Sequence, residues 1–203
     1  LPVQWSANVI NYNDRQIVVE SFPMGIDNRK FEQLTYEKTV LENIDKLKKS
    51  FQNSRIVLSI DRLDYSKGII KRLEAFQMLL QKNPEYVGNV VLYMIVVPSR
   101  DTVKQYKDLR DEIDKIVGNI NSLYRTLNWL PVHYYYRSFD VEMLAALYHT
   151  AEICLVTPMR DGMNLVCKEY VACRTNHTGV LILSEMAGAA KELIDANIVN
   201  PNN

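Results

Sequence analysis

The chain has 203 residues, 47% of them hydrophobic and 24% charged, with 24 basic and 24 acidic side chains and no formal net charge. This length supports a full-sized core, as one domain or two small ones, and the charge balance excludes a molecule-wide field that would draw the chain to nucleic acid or an acidic membrane. Any anion site must therefore be local.

No apolar segment approaches the roughly 18 to 20 residues needed to cross a bilayer, and the start shows no signal-peptide pattern. Cys154, Cys167 and Cys173 are odd in number and make no C-x-x-C pair, so reduced structural thiols in a cytoplasmic protein are the expectation. The chain opens on Leu1 rather than Met and reads as part of a longer polypeptide.

Residues 1–15 lack a clear period and are expected to form an edge ribbon or linker from a preceding domain. Residues 16–203 are expected to form one domain. Gln16–Phe22 (QIVVESF) predicts a strand, and Pro23-Met24-Gly25 its closing turn. Asp27 or Asn28 can cap a short helix. A longer helix over 37–51 carries Val40, Ile44, Leu47 and Phe51 on one face, and Lys46, Lys48 and Lys49 read as its solvated end. Arg55–Ile60 (RIVLSI) predicts a second strand. The polar loop DRLDYSKG follows, then a helix over Ile69–Gln81 that stops at Asn83-Pro84. Val90–Val97 is apolar throughout and strand-length, as for a strand covered on both faces. A long polar-faced helix is expected over 101–128, interrupted near Gly118. Val132–Arg137 reads as a strand, and Asp140 as the cap of a helix over 141–149. Ile153–Val156 and Gly179–Ser184 read as two more strands, the last followed by Ala187-Gly188-Ala189-Ala190 and a short helix.

Strand and helix alternate about six times, which predicts an open parallel sheet with helices on both faces and ligands beyond the carboxyl ends of its strands. Three loops then share one rim: that after Ile60, that holding Arg100, and that over 157–162. In the last, TPMRDGMNLVCKE runs from a buried strand through a glycine loop into a helix with Met163, Val166, Cys167 and Tyr170 on one side. The first amides of such a helix lack partners within it and favour an anion or a polar ligand. Asp161 and Asn164 can take hydroxyl hydrogen bonds, and Asp161 can also serve as the cap. Arg62 and Lys67 combine a guanidinium fork with a mobile ammonium, a pairing suited to a diphosphate. No G-x-G-x-x-G opens a helix and no Walker sequence is present, which disfavours dinucleotide oxidoreductases and P-loop enzymes. His133, His149 and His177 lack ligand spacing, so no metal is expected. Tyr134-Tyr135-Tyr136 reads as strand packing, and Cys167 as a packed thiol.

RLDYSKG (Arg62–Gly68), VPSR (Val97–Arg100) and RDGMNLVCKEYVACR (Arg160–Arg174) closely resemble glycosyltransferase family 20, the trehalose-6-phosphate synthases. PMGID, GVLILSEMAGAAKEL and IVNP follow in the family's order, so the resemblance covers nearly the whole chain from Gln16. It implies that the domain over 16–203 is Rossmann-like, the C-terminal, sugar-nucleotide-binding half of a two-domain GT-B enzyme. By resemblance, Arg62 and Lys67 hold the diphosphate of UDP-glucose. Asp161 and the amides of Gly162, Met163 and Asn164 hold glucose; Leu165 and Val166 lie against diphosphate and ribose. Glu169 takes the ribose hydroxyls, Phe139 and Leu144 flank the base, and Arg100 reaches the phosphate of glucose-6-phosphate. The implied reaction is retaining transfer of glucose to glucose-6-phosphate, giving trehalose 6-phosphate and UDP. UDP-glucose is a substrate, and neither a cofactor nor a catalytic metal is implied. The family's N-terminal domain and later C-terminal helices lie outside this chain, so the 203 residues alone are expected to be inactive. A regulatory sugar-nucleotide sensor and another GT-B transferase are the competing readings; retention of the four polar groups at 62, 67, 161 and 169 disfavours the first, and DGMNLV with Arg100 the second. The choice among UDP, GDP and ADP stays open, as does self-association.

Overall fold

A computed structural model describes residues 3–4, 8–13, 15–51, 54–99 and 103–202. Six strands make one sheet: β4 (Arg55–Arg62), β5 (Val90–Val97), β6 (Val132–Tyr135), β7 (Ile153–Val156), β8 (Val180–Ser184) and β9 (Asn197–Val199). All neighbours are parallel, in the order β6-β5-β4-β7-β8-β9. Relabelled within the sheet this is 3-2-1-4-5-6, the doubly wound Rossmann order, and the direction of winding reverses between β4 and β7. A separate antiparallel sheet holds β1 (Val3–Gln4), β2 (Val9–Tyr12) and β3 (Arg15–Val18).

The helices are α1 (Asn28–Leu34), α2 (Lys38–Ser50), α3 (Ile69–Lys82), α4 (Lys104–Tyr124), α5 (Val141–Thr150) and α6 (Leu165–Cys173). One layer packs α2 on α5, α5 on α6 and α6 on α1; α3 and α4 pack together as the other. β5 is buried along seven of its eight residues and β4 along six, as central strands covered on both faces must be. Leu58, Leu92, Met94 and Ile95 are fully enclosed there, each burial worth about 1.5 to 3 kcal/mol. Val40, Ile44 and Leu47 form the buried stripe of α2.

Four expectations need correction. The first strand ends at Val18, not Phe22, and pairs with β2 instead of joining the main sheet. Its residues are exposed, so the apolar run Ile17–Val19 marks a ribbon edge and no core strand. β4 extends past Ile60 through Asp61 and Arg62, which stay in register with Val96 and Val97. α4 runs unbroken through Gly118, where an added Cβ would meet nothing within 4 Å; Ile113, Val117 and Ile120 anchor it on either side, and that packing outweighs the roughly 1 kcal/mol a helical glycine costs. Finally, the chain after Ala187 forms only a 3-10 turn, Gly188–Lys191, before the short edge strand β9.

Candidate functional site

Three loops leave the carboxyl ends of the neighbouring strands β4, β7 and β8, and they are joined to one another by backbone bonds. The carbonyl of Ser66, in the first loop, accepts from the amides of Met159 (2.8 Å) and Arg160 (3.2 Å) in the second. Asp161 donates its amide to the Met186 carbonyl and accepts at its own carbonyl from the Gly188 amide, each 3.1 Å, which binds the second loop to the third. Two glycines permit the approach. Gly68 has φ +67°, and a Cβ there would lie 2.7 Å from the Thr157 carbonyl oxygen; one at Gly188 would overlap the Gly162 carbonyl.

Asp64 begins the first loop by accepting from the Ser66 amide (2.8 Å) and hydroxyl (2.7 Å). Burial would raise its carboxyl, but those bonds hold it below the ordinary value. Tyr106 of α4 adds a weaker hydroxyl bond at 3.3 Å. The 3-10 turn Tyr65–Lys67 then delivers Lys67 to the winding reversal, where its Nζ donates to Asp161 Oδ2 at 2.5 Å. Both side chains are 13% exposed, enough to be reached from outside and too little for water to screen the pair fully. Asp161 also accepts from the Met163 amide (3.2 Å) and from Asn164 Nδ2 (3.1 Å). Burial alone would raise this carboxyl too; the Lys67 ammonium, the Met163 amide and Asn164 outweigh it and hold Asp161 below the usual carboxylate range. An ionised carboxylate offers about four lone-pair sites, and three are taken.

The helix cap falls on Asn164, not Asp161. Asn164 adopts φ +70°, a conformation asparagine tolerates, and its side chain accepts from the Cys167 amide. Asp161 acts one step back, holding the capping side chain. Gly162 is exposed, and Leu165 and Val166 open α6 half-buried; neither of their amides has an acceptor among the described residues. The structure thus brings Lys67, Asp161, Met163 and Asn164 into direct contact.

Among the described residues, the side chains of Arg62, Glu169, Leu144 and Phe139 form no hydrogen bond or ion pair with Lys67 or Asp161. Arg62 is the exposed last residue of β4, with no ion pair among the described residues. Glu169 lies on α6, one turn beyond Leu165, and accepts from the Tyr148 hydroxyl of α5 at 2.8 Å. Burial, and then the Glu169 charge, keep that phenol protonated well above its ordinary range, so it serves as a donor. Leu144 sits one turn before Tyr148 on α5, towards the helix start. Phe139 precedes that helix, edge-on to Tyr135 and 4.4 Å beneath the Arg137 guanidinium. Arg100 lies outside the described residues. No group of three His, Cys, Asp or Glu side chains able to hold a metal occurs among the described residues.

Sequence reading missed Arg72 and Asp61. Arg72 is 2% exposed inside α3, and its Nη1 meets Asp61 Oδ2 at 2.6 Å. Burial pushes the Asp61 carboxyl above its ordinary value, against the pull of Arg72. A signal existed: position 72 falls on the stripe formed by Ile69, Leu73, Phe76 and Leu80, where an arginine has no reason to be without a partner.

Comparison with known proteins gives a consistent picture. The family model for glycosyltransferase family 20 matches residues 1–203. The chain is 44% identical over 196 residues to the UDP-forming alpha,alpha-trehalose-phosphate synthase of Candida albicans, covering 97% of this chain and 41% of that one. Among solved structures, the Burkholderia xenovorans UDP-forming synthase in complex with glucose-6-phosphate superposes with a TM-score of 0.91 at 36% identity, covering 96% of this chain and 43% of that one. An E. coli trehalose-6-phosphate protein bound with UDP-2-fluoro glucose gives 0.89 at 35%, covering 98% and 46%. The chain thus spans less than half the length of each of these relatives. Family match, doubly wound sheet and a polar seat at its winding reversal agree: this chain belongs to glycosyltransferase family 20.

Proposed function

We propose that this chain is the donor-binding half of a retaining glucosyltransferase that moves glucose from UDP-glucose to glucose-6-phosphate, forming trehalose 6-phosphate and UDP. The observation that carries the reading is the Lys67–Asp161 pair at the crossover of β4 and β7, where a cation and a hydroxyl acceptor stand side by side. A sugar diphosphate presents the complementary order, an anion next to a polyol. The relatives bound to glucose-6-phosphate and to UDP-2-fluoro glucose support the same substrates here.

In this reading Lys67 and Arg62 face the diphosphate, and the remaining lone pair of Asp161 takes a glucose hydroxyl. The amides of Gly162, Met163 and Asn164 complete the sugar seat, while Leu165 and Val166 border diphosphate and ribose. Glu169, oriented by Tyr148, takes the ribose hydroxyls; Phe139 and Leu144 flank the base, and Arg100 reaches the acceptor phosphate. As the glycosidic bond breaks, negative charge grows on the diphosphate. A fixed ammonium and guanidinium stabilise that charge with little reorganisation. The departing phosphate oxygen takes the proton of the acceptor hydroxyl, which attacks from the same face, so no protein base is required. The 203 residues alone bind nucleotide weakly and transfer no glucose.

The test is product formation by the full-length protein that carries this chain, supplied with UDP-glucose and glucose-6-phosphate. Release of UDP matched by trehalose 6-phosphate is the expected result. Binding of UDP-glucose without transfer would replace the enzyme by a sugar-nucleotide sensor.

A further inference from the structure

The buried guanidinium of Arg72 joins β4, the loop that follows it and the first residue after β7. Its Nη1 donates to Ser59 Oγ (2.5 Å) and Asp61 Oδ2 (2.6 Å), both on β4. Its Nη2 donates to the backbone carbonyl of Lys67 (2.5 Å), and its Nε to Thr157 Oγ1 (3.2 Å), the first residue after β7. At 2% exposure the side chain reaches no ligand. A planar fork has its donors at fixed angles, so four acceptors on one guanidinium fix their mutual separation. Two of those acceptors belong to Lys67, near the end of the first loop, and Thr157, which heads the second; the two loops are joined by the Lys67–Asp161 pair and by the Ser66 carbonyl.

We propose that Arg72 is a positioning residue: it sets the Lys67 backbone and the loop after β7 at the spacing that places the Lys67 ammonium for catalysis. The catalytic half of this statement rests on the glucosyltransferase reading above; the structural half does not. Replacement by lysine separates position from charge. Arg72→Lys keeps a cation beside Asp61, yet one ammonium with three donors cannot serve Ser59, Asp61, the Lys67 carbonyl and Thr157 at once.

The experiment is a double-mutant cycle in the full-length protein, with hydrogen exchange as a readout that needs no substrate. Arg72→Lys should lower kcat about tenfold with donor KM within about twofold, and its additional effect on a Lys67→Ala background should be under about twofold, because coupled residues do not act additively. Exchange at the Met159 and Arg160 amides should rise about tenfold in Arg72→Lys, with distant β5 amides unchanged, as local opening permits. Additive losses in the cycle together with unchanged exchange at 159 and 160 would overturn the proposal. If Arg72→Lys does not fold, Thr157→Val removes one acceptor at constant shape and is put through the same cycle; faster exchange with non-additivity supports the role, and wild-type exchange overturns it. A wild-type protein without transferase activity would sink the glucosyltransferase reading alone, since the exchange result stands apart from it.

Discussion

At the carboxyl ends of β4, β7 and β8, loops distant in sequence are bonded to one another and converge on one ion pair. At the amino ends of β4 and β5 the same sheet borders a cavity of about 760 Å³, lined by Lys48, Phe51, Arg55, Glu85, Tyr86 and Glu152 among others. Volume alone would place a ligand there. Its charged groups form no ion pair among the described residues, however, and Glu152 is occupied by the Ile56 amide at 2.7 Å, as a strand-end acceptor. Chemistry collects where strand order reverses because adjacent crossovers leave in opposite directions and open a crevice between their loops. Organised polar groups are the better guide than empty space.

The largest expected effect falls on the foundations of the polar end. Asp61→Ala leaves the Arg72 charge buried without its partner, at 1% side-chain exposure, and should cost about 3 to 5 kcal/mol in urea or thermal melts. Wild-type melting would mean that water or another group satisfies the guanidinium. Next, Lys67→Ala in the full-length enzyme should lower turnover on the order of 10²-fold, by analogy with loss of an oxyanion donor; turnover within threefold of wild type would remove Lys67 from the site. Glu169→Gln should raise donor KM about tenfold with little change in kcat, the signature of a ground-state hydrogen bond to a charged group. A pure kcat effect would place Glu169 nearer the reacting atoms.

Acid unfolding sharpens the comparison further. The Asp161 carboxyl is held below its ordinary value, so its contribution to stability is complete above the usual carboxylate range and drains away as pH falls through the folded value. Melts of wild type and Asp161→Asn should therefore differ at about pH 6 and converge towards about pH 2; a constant gap would show that the carboxylate charge is irrelevant. The smallest effect belongs to the cavity end. Lys48→Ala should change kcat/KM by less than about twofold, and a larger loss would give that cavity a function.

Much of the fold was legible because each strand is punctuated. Val90–Val97 matched its strand to the residue, and Asp27 and Asp140 cap the helices their positions suggested. One miss comes from polarity. Polar residues signal loops to a reader of sequence, yet Asp61 and Arg62 lie in β4 because a partner on α3 makes a buried carboxylate tolerable. The loops of the polar rim were visible as motifs, and the Lys67–Asp161 contact follows from their adjacency. Arg72 and Gly188 escaped because their roles exist only between elements: one as a fork shared by four acceptors, the other as a missing side chain beside Gly162. Strand order was not readable, since nothing in periodicity says which neighbours a strand will choose.

The single carbonyl of Ser66 that accepts two amides from residues 159 and 160 also bears on how the molecule comes to be made. Those partners are more than ninety positions apart along the chain, so they meet only after three intervening crossovers have docked. During synthesis, a nascent chain released only as far as β6 can build half the sheet but holds no anion seat at all. The Lys67–Asp161 contact would then arrive in one step, late, when β7 slots beside β4 and the loop that follows it closes on Ser66.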